Sequence, residues 1–137
     1  MGESIKSRFE TSDKEVGVFL SGGIDSGLVT AIASQYSSRP LKTFTVKFDG
    51  AYDESKLAKL VSNRYNTEHF ECQIDFKQLP LLIEEVIQQY GEPYIDDSAI
   101  PSFLISQFAK QKVDVCLNGD GSDELTGGYD VVKGERV

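Results

Sequence analysis

The amino-acid sequence predicts an α/β domain in which helices cover a parallel β-sheet of four or five strands. Short runs rich in apolar and β-branched residues alternate with stretches in which apolar residues recur every three or four positions. Helical stretches of roughly 10–15 residues between strands are typical of βαβ units, whose strands run parallel. Two glycine-rich segments each follow a predicted strand, and parallel sheets bind ligands at the carboxyl ends of their strands. We therefore expect a three-layer sandwich with both segments at one edge of the sheet.

Four strands are predicted from the apolar runs, at 16–20, 41–48, 68–74 and 113–117. The first, VGVFL, is a continuous apolar run. The second, LKTFTVKF, is rich in the β-branched and aromatic residues that favour strands. The fourth, VDVCL, leads directly into the second glycine-rich segment.

Four helices are predicted between these strands, each with apolar residues at helical spacing. The first spans Ser26 to about Tyr36, and the second has Asp53 as its N-cap. The third spans Asp75 to Gln89, and the fourth spans about Ala99 to Gln111. The first fifteen residues are polar and lack the apolar segment of a secretory signal, and no element is predicted there.

Composition is that of a soluble globular protein and excludes several classes. The chain has 137 residues, enough for one compact domain, and no apolar run approaches the roughly 18–20 residues of a membrane span. The net charge of −8 argues against a nucleic-acid surface, which normally needs a basic face. We expect neither a membrane nor a nucleic-acid partner, and a cytoplasmic location.

The two cysteines and the single histidine are expected to be structural. Cys72 and Cys116 lie in predicted strands, without a CxxC pattern or a metal-ligand set, so they are interpreted as buried, reduced thiols. His69 also lies in a predicted strand, and the sequence identifies no catalytic partner for it.

The segment SGGIDS, Ser21 to Ser26, lies between the first strand and the first helix. Gly22 and Gly23 lack Cβ atoms, so the backbone can turn sharply and approach a ligand. The helix that follows presents unpaired N–H groups and the positive end of its dipole, and the two serine hydroxyls add donors. Asp25 would repel a phosphate unless a cation lay between them, which suggests bound Mg²⁺. The segment therefore predicts a phosphate or pyrophosphate site, with a ligand-free strand-to-helix turn as the alternative.

SGGIDSG resembles the SGGxDS pyrophosphate loop of the N-type ATP pyrophosphatases, and it matches neither the Walker A loop nor the GxGxxG fingerprint. The resemblance implies the adenine-nucleotide alpha-hydrolase-like fold of these PP-loop proteins, which activate a carboxylate or carbonyl oxygen with ATP and release pyrophosphate. The common ending of the motif is DSS, whereas this chain has Gly27 in the last place. The lost hydroxyl is expected to weaken the cradle without abolishing it, because backbone N–H groups make most of the contacts.

A second segment, NGDGSDELTGGYD, follows the fourth strand and begins at Asn118. Its carboxylates Asp120, Asp123 and Glu124 crowd a glycine-rich loop, so a metal, an amine or a helix N-terminus is expected nearby. If the two glycine-rich loops meet across the sheet edge, Asp25 and Asp123 could hold one Mg²⁺ between them. A calcium-binding turn or a solvated loop is the alternative, although the EF-hand spacing is missing.

This second segment resembles the SGDGGDELFGGY signature of asparagine synthetases. It departs from the signature at Asn118, Ser122 and Thr126. The resemblance runs from about Val16 to Tyr129, and its ordered motifs favour the asparagine synthetase branch over the wider superfamily.

The resemblance implies roles for the residues at matching positions. Asn118 and Gly119 would contact the nucleotide through their backbone. Asp120 would lie near the acyl-adenylate and the incoming amine. Asp123 would be the second metal ligand, after Asp25.

Two further segments carry candidate site residues. The family's second strand passes under the adenine, so Val46 and Leu20 are candidates for adenine contacts, with ordinary core positions as the alternative. EPYIDDSAIP resembles the family's EPFADSSAIP, with Asp96 and Ser98 at matching positions and Asp97 in place of a serine. Asp96 is interpreted as a residue that shapes the site.

We interpret residues 1–137 as one ATP-binding synthetase domain, truncated at its carboxyl end and without a glutaminase domain. The resemblance implies ATP and Mg²⁺ as cofactors and aspartate and ammonia as substrates. It also implies a glutaminase domain in the full-length protein, and it leaves a homodimer open. Family members use a lysine beyond the GGY motif. Lys133 is the only lysine after that motif, and it lies too close to be a clear substitute.

Three alternatives remain at this level. Relatives with the same loops amidate sugars, antibiotics or peptide precursors, so the acceptor carboxylate is open. A nucleotide-binding module without catalysis would bind ATP but release no pyrophosphate. An interaction domain with an empty site would bind no nucleotide, although nothing structural obviously needs both Asp25 and Asp123.

Overall fold

The computed structural model describes residues 1–12, 14–48, 53–74, 79–92 and 98–121. In that part of the chain, five helices alternate with four strands. They are α1 (Gly2–Thr11), β1 (Val16–Phe19), α2 (Ile24–Tyr36), β2 (Lys42–Lys47), α3 (Ser55–Tyr65), β3 (Glu68–Gln73), α4 (Leu79–Tyr90), α5 (Ala99–Lys110) and β4 (Val115–Leu117).

The four strands form one parallel sheet in the order β3–β2–β1–β4. Val18 in β1 pairs with Thr43 in β2 and with Leu117 in β4. The chain winds outwards from β1 to β3 and then returns to the other side of β1, so its direction reverses between β1 and β4. Sheets of this class leave a ligand crevice at such a reversal, outside the carboxyl ends of the strands. The predicted parallel sheet is confirmed, with four strands.

Two apolar clusters, one on each face of the sheet, form the core. Val18 packs with buried residues of α1 and α2. Phe44 follows Thr43, the partner of Val18, so it points to the opposite face, where it packs with Ile105 and Ala109 of α5. These two clusters establish the three layers that the sequence predicts.

Helix α1 is absent from the sequence prediction, because its residues are mostly polar. Within it only Ile5 is buried, and Phe9 is partly buried against the same cluster. The Phe9 ring lies 6.5 Å from that of Tyr36 at the end of α2. Two apolar contacts one turn apart are too weak a periodic signal to distinguish a helix from a polar leader.

The start of β4 was predicted too early. The Val113 N–H donates to the Ala109 carbonyl at 2.9 Å, and the Lys112 N–H donates to the same oxygen at 2.8 Å. These bonds close the last turn after α5, so the strand begins only at Val115. An apolar run alone does not show where a helical turn ends.

The N-cap of α3 is Glu54 and not Asp53, as the sequence suggested. Asp53 still stabilises the helix start, because its carboxylate accepts bonds from the Ser55 N–H at 3.1 Å and from the Ser55 hydroxyl at 2.9 Å. These hydrogen bonds lower the pKa of Asp53. The helix predicted from Asp75 begins at Leu79, and residues 75–78 lie outside the described part of the chain.

Both cysteines are free, as predicted, although they are partly and not fully buried. Burial raises the pKa of the Cys72 thiol, and it raises the pKa of Cys116 to about 11. Both thiols are therefore protonated at neutral pH. Across the described ranges, no helix combines the length and the apolarity needed to cross a bilayer.

Candidate nucleotide site

A cavity of about 830 Å³ opens at the carboxyl ends of the strands, beside the reversal between β1 and β4. Its volume lies in the range of small-molecule sites. The walls come from the β1–α2 loop, the ends of β2 and β4, the start of α3, the end of α4 and one face of α5. The lining residues are Phe19, Leu20, Ser21, Gly23, Asp25, Ser26, Val46, Phe48, Glu54, Tyr90, Ser98, Ala99, Pro101, Ser102, Ile105, Ser106, Asn118, Gly119, Asp120 and Gly121.

The β1–α2 loop is closed by its two serines. The Ser26 hydroxyl accepts a bond from the Ser21 N–H at 3.2 Å and lies 3.0 Å from the Ser21 hydroxyl. The Ser21 hydroxyl accepts a bond from the Gly23 N–H, and the Ser26 hydroxyl donates to the Gly23 carbonyl, both at 3.2 Å. Ser26 is only 6% exposed. The two hydroxyls therefore hold the loop in its conformation. A ligand could accept hydrogen bonds from these hydroxyls only by displacing the bonds that they make within the loop.

Gly22 is required by the backbone of the loop. Its φ is 94°, a conformation that side chains disfavour. A Cβ there would lie 2.8 Å from the carbonyl oxygen of Glu54 and 3.1 Å from the Cβ of Leu57. The β1–α2 loop thus packs directly against the first turn of α3, and this contact fixes the position of the loop.

Helix α2 begins at Ile24, two residues earlier than the sequence predicts. The first-turn N–H groups of this 13-residue helix have no acceptor within the helix, and its dipole places partial positive charge at this end. Asp25 lies in that first turn and in the cavity wall. The combination attracts an anion and also supplies a carboxylate that can hold a cation beside it.

The loop after β4 touches the first turn of α2, which is part of the first glycine-rich segment. A Cβ on Gly119 would lie 3.1 Å from the Cβ of Asp25 and 3.1 Å from the N atom of Ser26. A side chain at position 119 would fit only if the start of α2 moved by a few tenths of an ångström. The expectation that the two glycine-rich segments meet at one edge of the sheet is confirmed for their described residues.

Asn118 orients the carboxylate of Asp120. Its Nδ2 atom donates to Asp120 Oδ2 at 2.7 Å, and both residues line the cavity. The φ of Gly121 is 84°, so the chain turns sharply after this pair. Asp123, Asp96 and Lys133 lie outside the described residues, as does the Asp25–Asp123 metal bridge that the sequence suggests.

The two predicted adenine contacts differ in their access to the cavity. Both Leu20 and Val46 lie in its wall, but Leu20 is 0% exposed whereas Val46 is partly buried. Phe19 and Phe48 add apolar surface to the same wall and were not predicted from the sequence. Their position at the ends of β1 and β2 is the signal that could have identified them.

One face of α5 forms a polar wall of the cavity. Ser98, Ser102 and Ser106 recur every fourth residue and all line it. Ser98 was singled out by its motif, whereas Ser102 and Ser106 were missed. Helical spacing from Ser98 would have placed all three on one face.

The charged side chains of the cavity wall are all acidic among the residues that the structure describes. Asp25, Glu54 and Asp120 line it, and no lysine, arginine or histidine is found with them there. Glu54 follows the predicted N-cap Asp53, and no pattern in the sequence indicates that it lines a site. A polyphosphate would need cations to enter such a cavity, and carboxylate oxygens are the ligands that Mg²⁺ prefers.

A parallel sheet of this order, with a glycine-rich loop between its inner strand β1 and α2, is the arrangement expected for the predicted PP-loop fold. Solved structures with a similar fold include NH3-dependent NAD synthetase from Campylobacter jejuni, with a TM-score of 0.61 and 18% identity over 93% of this chain and 57% of that chain. NMN synthetase from Francisella tularensis has a TM-score of 0.62 and 17% identity over 93% and 56%. The predicted fold class is confirmed.

The chain belongs to the asparagine synthase family, whose model matches residues 1–137. A putative glutamine-hydrolyzing asparagine synthetase 2 of Methanocaldococcus jannaschii is 37% identical over 93% of this chain and 25% of its own length. The glutamine-hydrolyzing asparagine synthetase 1 of Bacillus subtilis is 34% identical over 89% and 19%, and the human asparagine synthetase is 32% identical over 92% and 24%. The chain thus spans a quarter or less of these relatives. The family resemblance drawn from the sequence motifs is confirmed.

Proposed function

We propose that this chain is the nucleotide-binding part of an ATP-dependent, amide-forming ligase that makes asparagine. The aspartate side-chain carboxylate attacks the α-phosphorus of ATP and forms β-aspartyl-AMP, and pyrophosphate leaves. Ammonia then attacks the acyl carbon, AMP leaves, and asparagine remains. The observation that carries the proposal is the contact of Gly119 with Asp25 and Ser26, since it joins the two motif loops around one cavity.

The β1–α2 loop is proposed to bind the leaving pyrophosphate. The first-turn N–H groups of α2 and its dipole stabilise negative charge without a basic side chain. Gly23 lines the cavity and lets the backbone approach the phosphates closely, whereas Gly22 packs against α3 and is not among the lining residues. Because the loop is braced by the bonds between Ser21 and Ser26, its donors are oriented before the ligand arrives.

Among the described residues no three acidic, cysteine or histidine side chains come together as a metal site, so Mg²⁺ is proposed to be shared between the acidic wall and the phosphates. The described wall offers carboxylates and no basic group, so polyphosphate binding needs a divalent cation as a bridge. Asp25 is proposed as one ligand and Asp123 as the second. When bound, Mg²⁺ would neutralise charge on the phosphate oxygens and on the leaving pyrophosphate.

The remaining walls are proposed to hold the rest of the substrates. Val46 is proposed to contact the adenine, and Leu20, which has no exposed surface, supports that wall from behind. Asn118 and Gly119 are proposed to contact the nucleotide through their backbone. Asp120, held by Asn118, would lie near the acyl-adenylate and attract the incoming amine. The ammonia would come from a glutaminase domain of the full-length protein, as the names of the glutamine-hydrolyzing relatives suggest.

Calorimetric titration with Mg-ATP tests the binding step. We expect saturable binding that is weakened at least tenfold both without the metal and in Asp25→Ala. Asp114→Ala is the matched control, because Asp114 is an exposed acid just before β4 that pairs with Lys14 at 3.7 Å and does not line the cavity. Equal affinity in the two variants would refute the role of the loop.

The chemical step is tested with the full-length protein that contains this chain. Mg-ATP, aspartate and ammonia should give AMP, pyrophosphate and asparagine in equal amounts. Glutamate offered in place of aspartate should give none, because the longer side chain moves its carboxylate away from the α-phosphorus. ATP binding without pyrophosphate release from any acceptor would instead identify a nucleotide-binding module.

A further inference from the structure

Thr45 lies in β2, beside the point where β1 ends and the β1–α2 loop begins. Its side chain is 1% exposed, and its hydroxyl donates a hydrogen bond to the carbonyl oxygen of Leu20. The N–H of Leu20 donates to the Phe44 carbonyl at 2.8 Å, as in a regular parallel ladder. The carbonyl of Leu20 is thus bound by a side chain of β2, at the point where the chain leaves the sheet.

The same peptide group is also held from its other side. The Leu20 carbonyl and the Ser21 N–H belong to one planar peptide unit. The Ser21 N–H donates to the Ser26 hydroxyl at 3.2 Å. One peptide plane therefore bonds to β2 through Thr45 and to α2 through Ser26. Its orientation sets the direction in which the chain enters the loop.

We propose that Thr45 is a positioning residue for the pyrophosphate loop. Its hydroxyl holds the Leu20–Ser21 peptide in the orientation that lets the loop bind polyphosphate, and this inference rests on the proposed nucleotide-binding function. Thr45 is not among the residues that line the cavity, so it acts through Leu20 and not on the ligand. Without the hydroxyl, a buried carbonyl would lose its partner, and the peptide would rotate to find another.

The strand offers a matched control two residues away. Thr43 is also fully buried in β2 and lies on the same face as Thr45. Its hydroxyl lies 2.8 Å from that of Thr67 and 2.9 Å from Nδ1 of His69, so its hydrogen bonds among the described residues lead to β3 and away from the loop. Thr43→Val and Thr45→Val therefore each delete one buried hydroxyl with little change of shape, but only the second one frees the loop.

Two measurements on the 137-residue chain test the proposal. Calorimetry gives the Kd for Mg-ATP, and amide hydrogen exchange without nucleotide reports on residues 20–26. We expect Thr45→Val to raise the Kd about tenfold, equivalent to one lost hydrogen bond, and to speed exchange in that segment. Thr43→Val should leave both values as in the wild type, and Thr45→Ser should restore both.

Each outcome decides the proposal. Equal Kd and equal exchange in the two valine variants would overturn it while leaving the proposed function intact. If the wild type bound no Mg-ATP, the proposed function would fail, and the role of Thr45 would be tested by hydrogen exchange alone. Faster exchange of residues 20–26 in Thr45→Val, but not in Thr43→Val, would then support loop positioning. Unchanged exchange would overturn it. If Thr45→Val did not fold, Thr45→Cys, a weak donor, should shift both values in the same direction.

Discussion

Gly22 and Gly119 are the two positions at which the candidate site depends on the absence of a side chain. Gly22 combines a positive φ with a Cβ position 2.8 Å from the Glu54 carbonyl oxygen, so it joins the loop to α3. Gly119 joins the loop after β4 to Asp25 and Ser26. Both glycines are therefore explained by packing around the cavity, in addition to any contact with a ligand.

Replacing Gly119 with alanine is expected to push the two loops apart. The new Cβ would lie 3.1 Å from the Cβ of Asp25, which is closer than ordinary contact. We expect a stability loss of about 1–3 kcal/mol, as for other overpacked sites, and at least tenfold weaker Mg-ATP binding. Urea unfolding and calorimetry measure the two effects. Gly2→Ala is the control, because a Cβ there has no neighbour within 4 Å. Wild-type affinity in Gly119→Ala would show that the loops do not cooperate.

Gly27 offers the opposite test, because a side chain fits there. The nearest atom to its Cβ position is Val61 Cγ2 at 3.9 Å, and Gly27 lies inside α2. Gly27→Ala should raise the free energy of unfolding by about 0.5–1 kcal/mol, since glycine disfavours helices. Gly27→Ser restores the DSS ending and should also tighten Mg-ATP binding a few-fold. Equal Mg-ATP affinity of the Gly27→Ala and Gly27→Ser variants would show that a hydroxyl at position 27 does not contribute to phosphate binding.

At the scale of the elements, β2, β3 and α3 are joined by a chain of buried polar groups. Thr67 donates to the Ser62 hydroxyl at 3.0 Å, so Thr43 must donate to Thr67 and accept from Nδ1–H of His69. The imidazole is therefore the Nδ1–H tautomer when neutral. Its Nε2 is buried, lacks a hydrogen-bond partner among the described residues, and lies 4.0 Å from Glu71 Oε1.

This histidine should make stability depend on pH. Burial lowers the pKa of His69, helped by the charge of Lys59 and opposed by Glu71. Because the folded state binds the proton less readily than the unfolded state, the stability is fully present above pH 6.5 and falls as the pH drops below it. Urea unfolding between pH 7.5 and 5.5 should show this loss. It should be smaller in His69→Gln, since His69 is the only histidine of the sequence. Parallel profiles for the two proteins would contradict the assignment.

At the scale of the whole molecule, the net charge of −8 repels a nucleotide, and the described cavity wall adds acidic groups. Attraction must then come from α2 and from bound cations. The resemblance to PP-loop proteins and the charge distribution thus both support the Mg²⁺ that we propose for this site.

ATP without a divalent cation is expected to bind at least tenfold more weakly than Mg-ATP. The reason is that Asp25, Glu54 and Asp120 repel the uncompensated phosphates. The buffer without magnesium should contain KCl at the ionic strength of the magnesium buffer, so that electrostatic screening is the same in both measurements. Similar affinities in the two buffers would argue against Asp25 as a metal ligand.

Much of the candidate site could be predicted from local patterns. The SGGIDS segment predicted the loop before α2, and the position of both glycine-rich segments after strands predicted that they share an edge. Other members of the cavity wall could not be found in this way. Ser106 can be found by helical spacing only once Ser98 is known to line the cavity. Glu54 lines it because the start of α3 lies against the β1–α2 loop.

The sequence by itself determined the alternation of strands and helices, the two glycine-rich loops and the family, because each depends on residues close together in the chain. The tertiary structure decided the strand order β3–β2–β1–β4, the helix α1 and the two contacts that shape the loop. Gly119 meets Asp25, and Thr45 meets Leu20, across long stretches of intervening chain. Such contacts follow from which strands pair and how the helices cover them, and no local pattern of residues encodes that pairing.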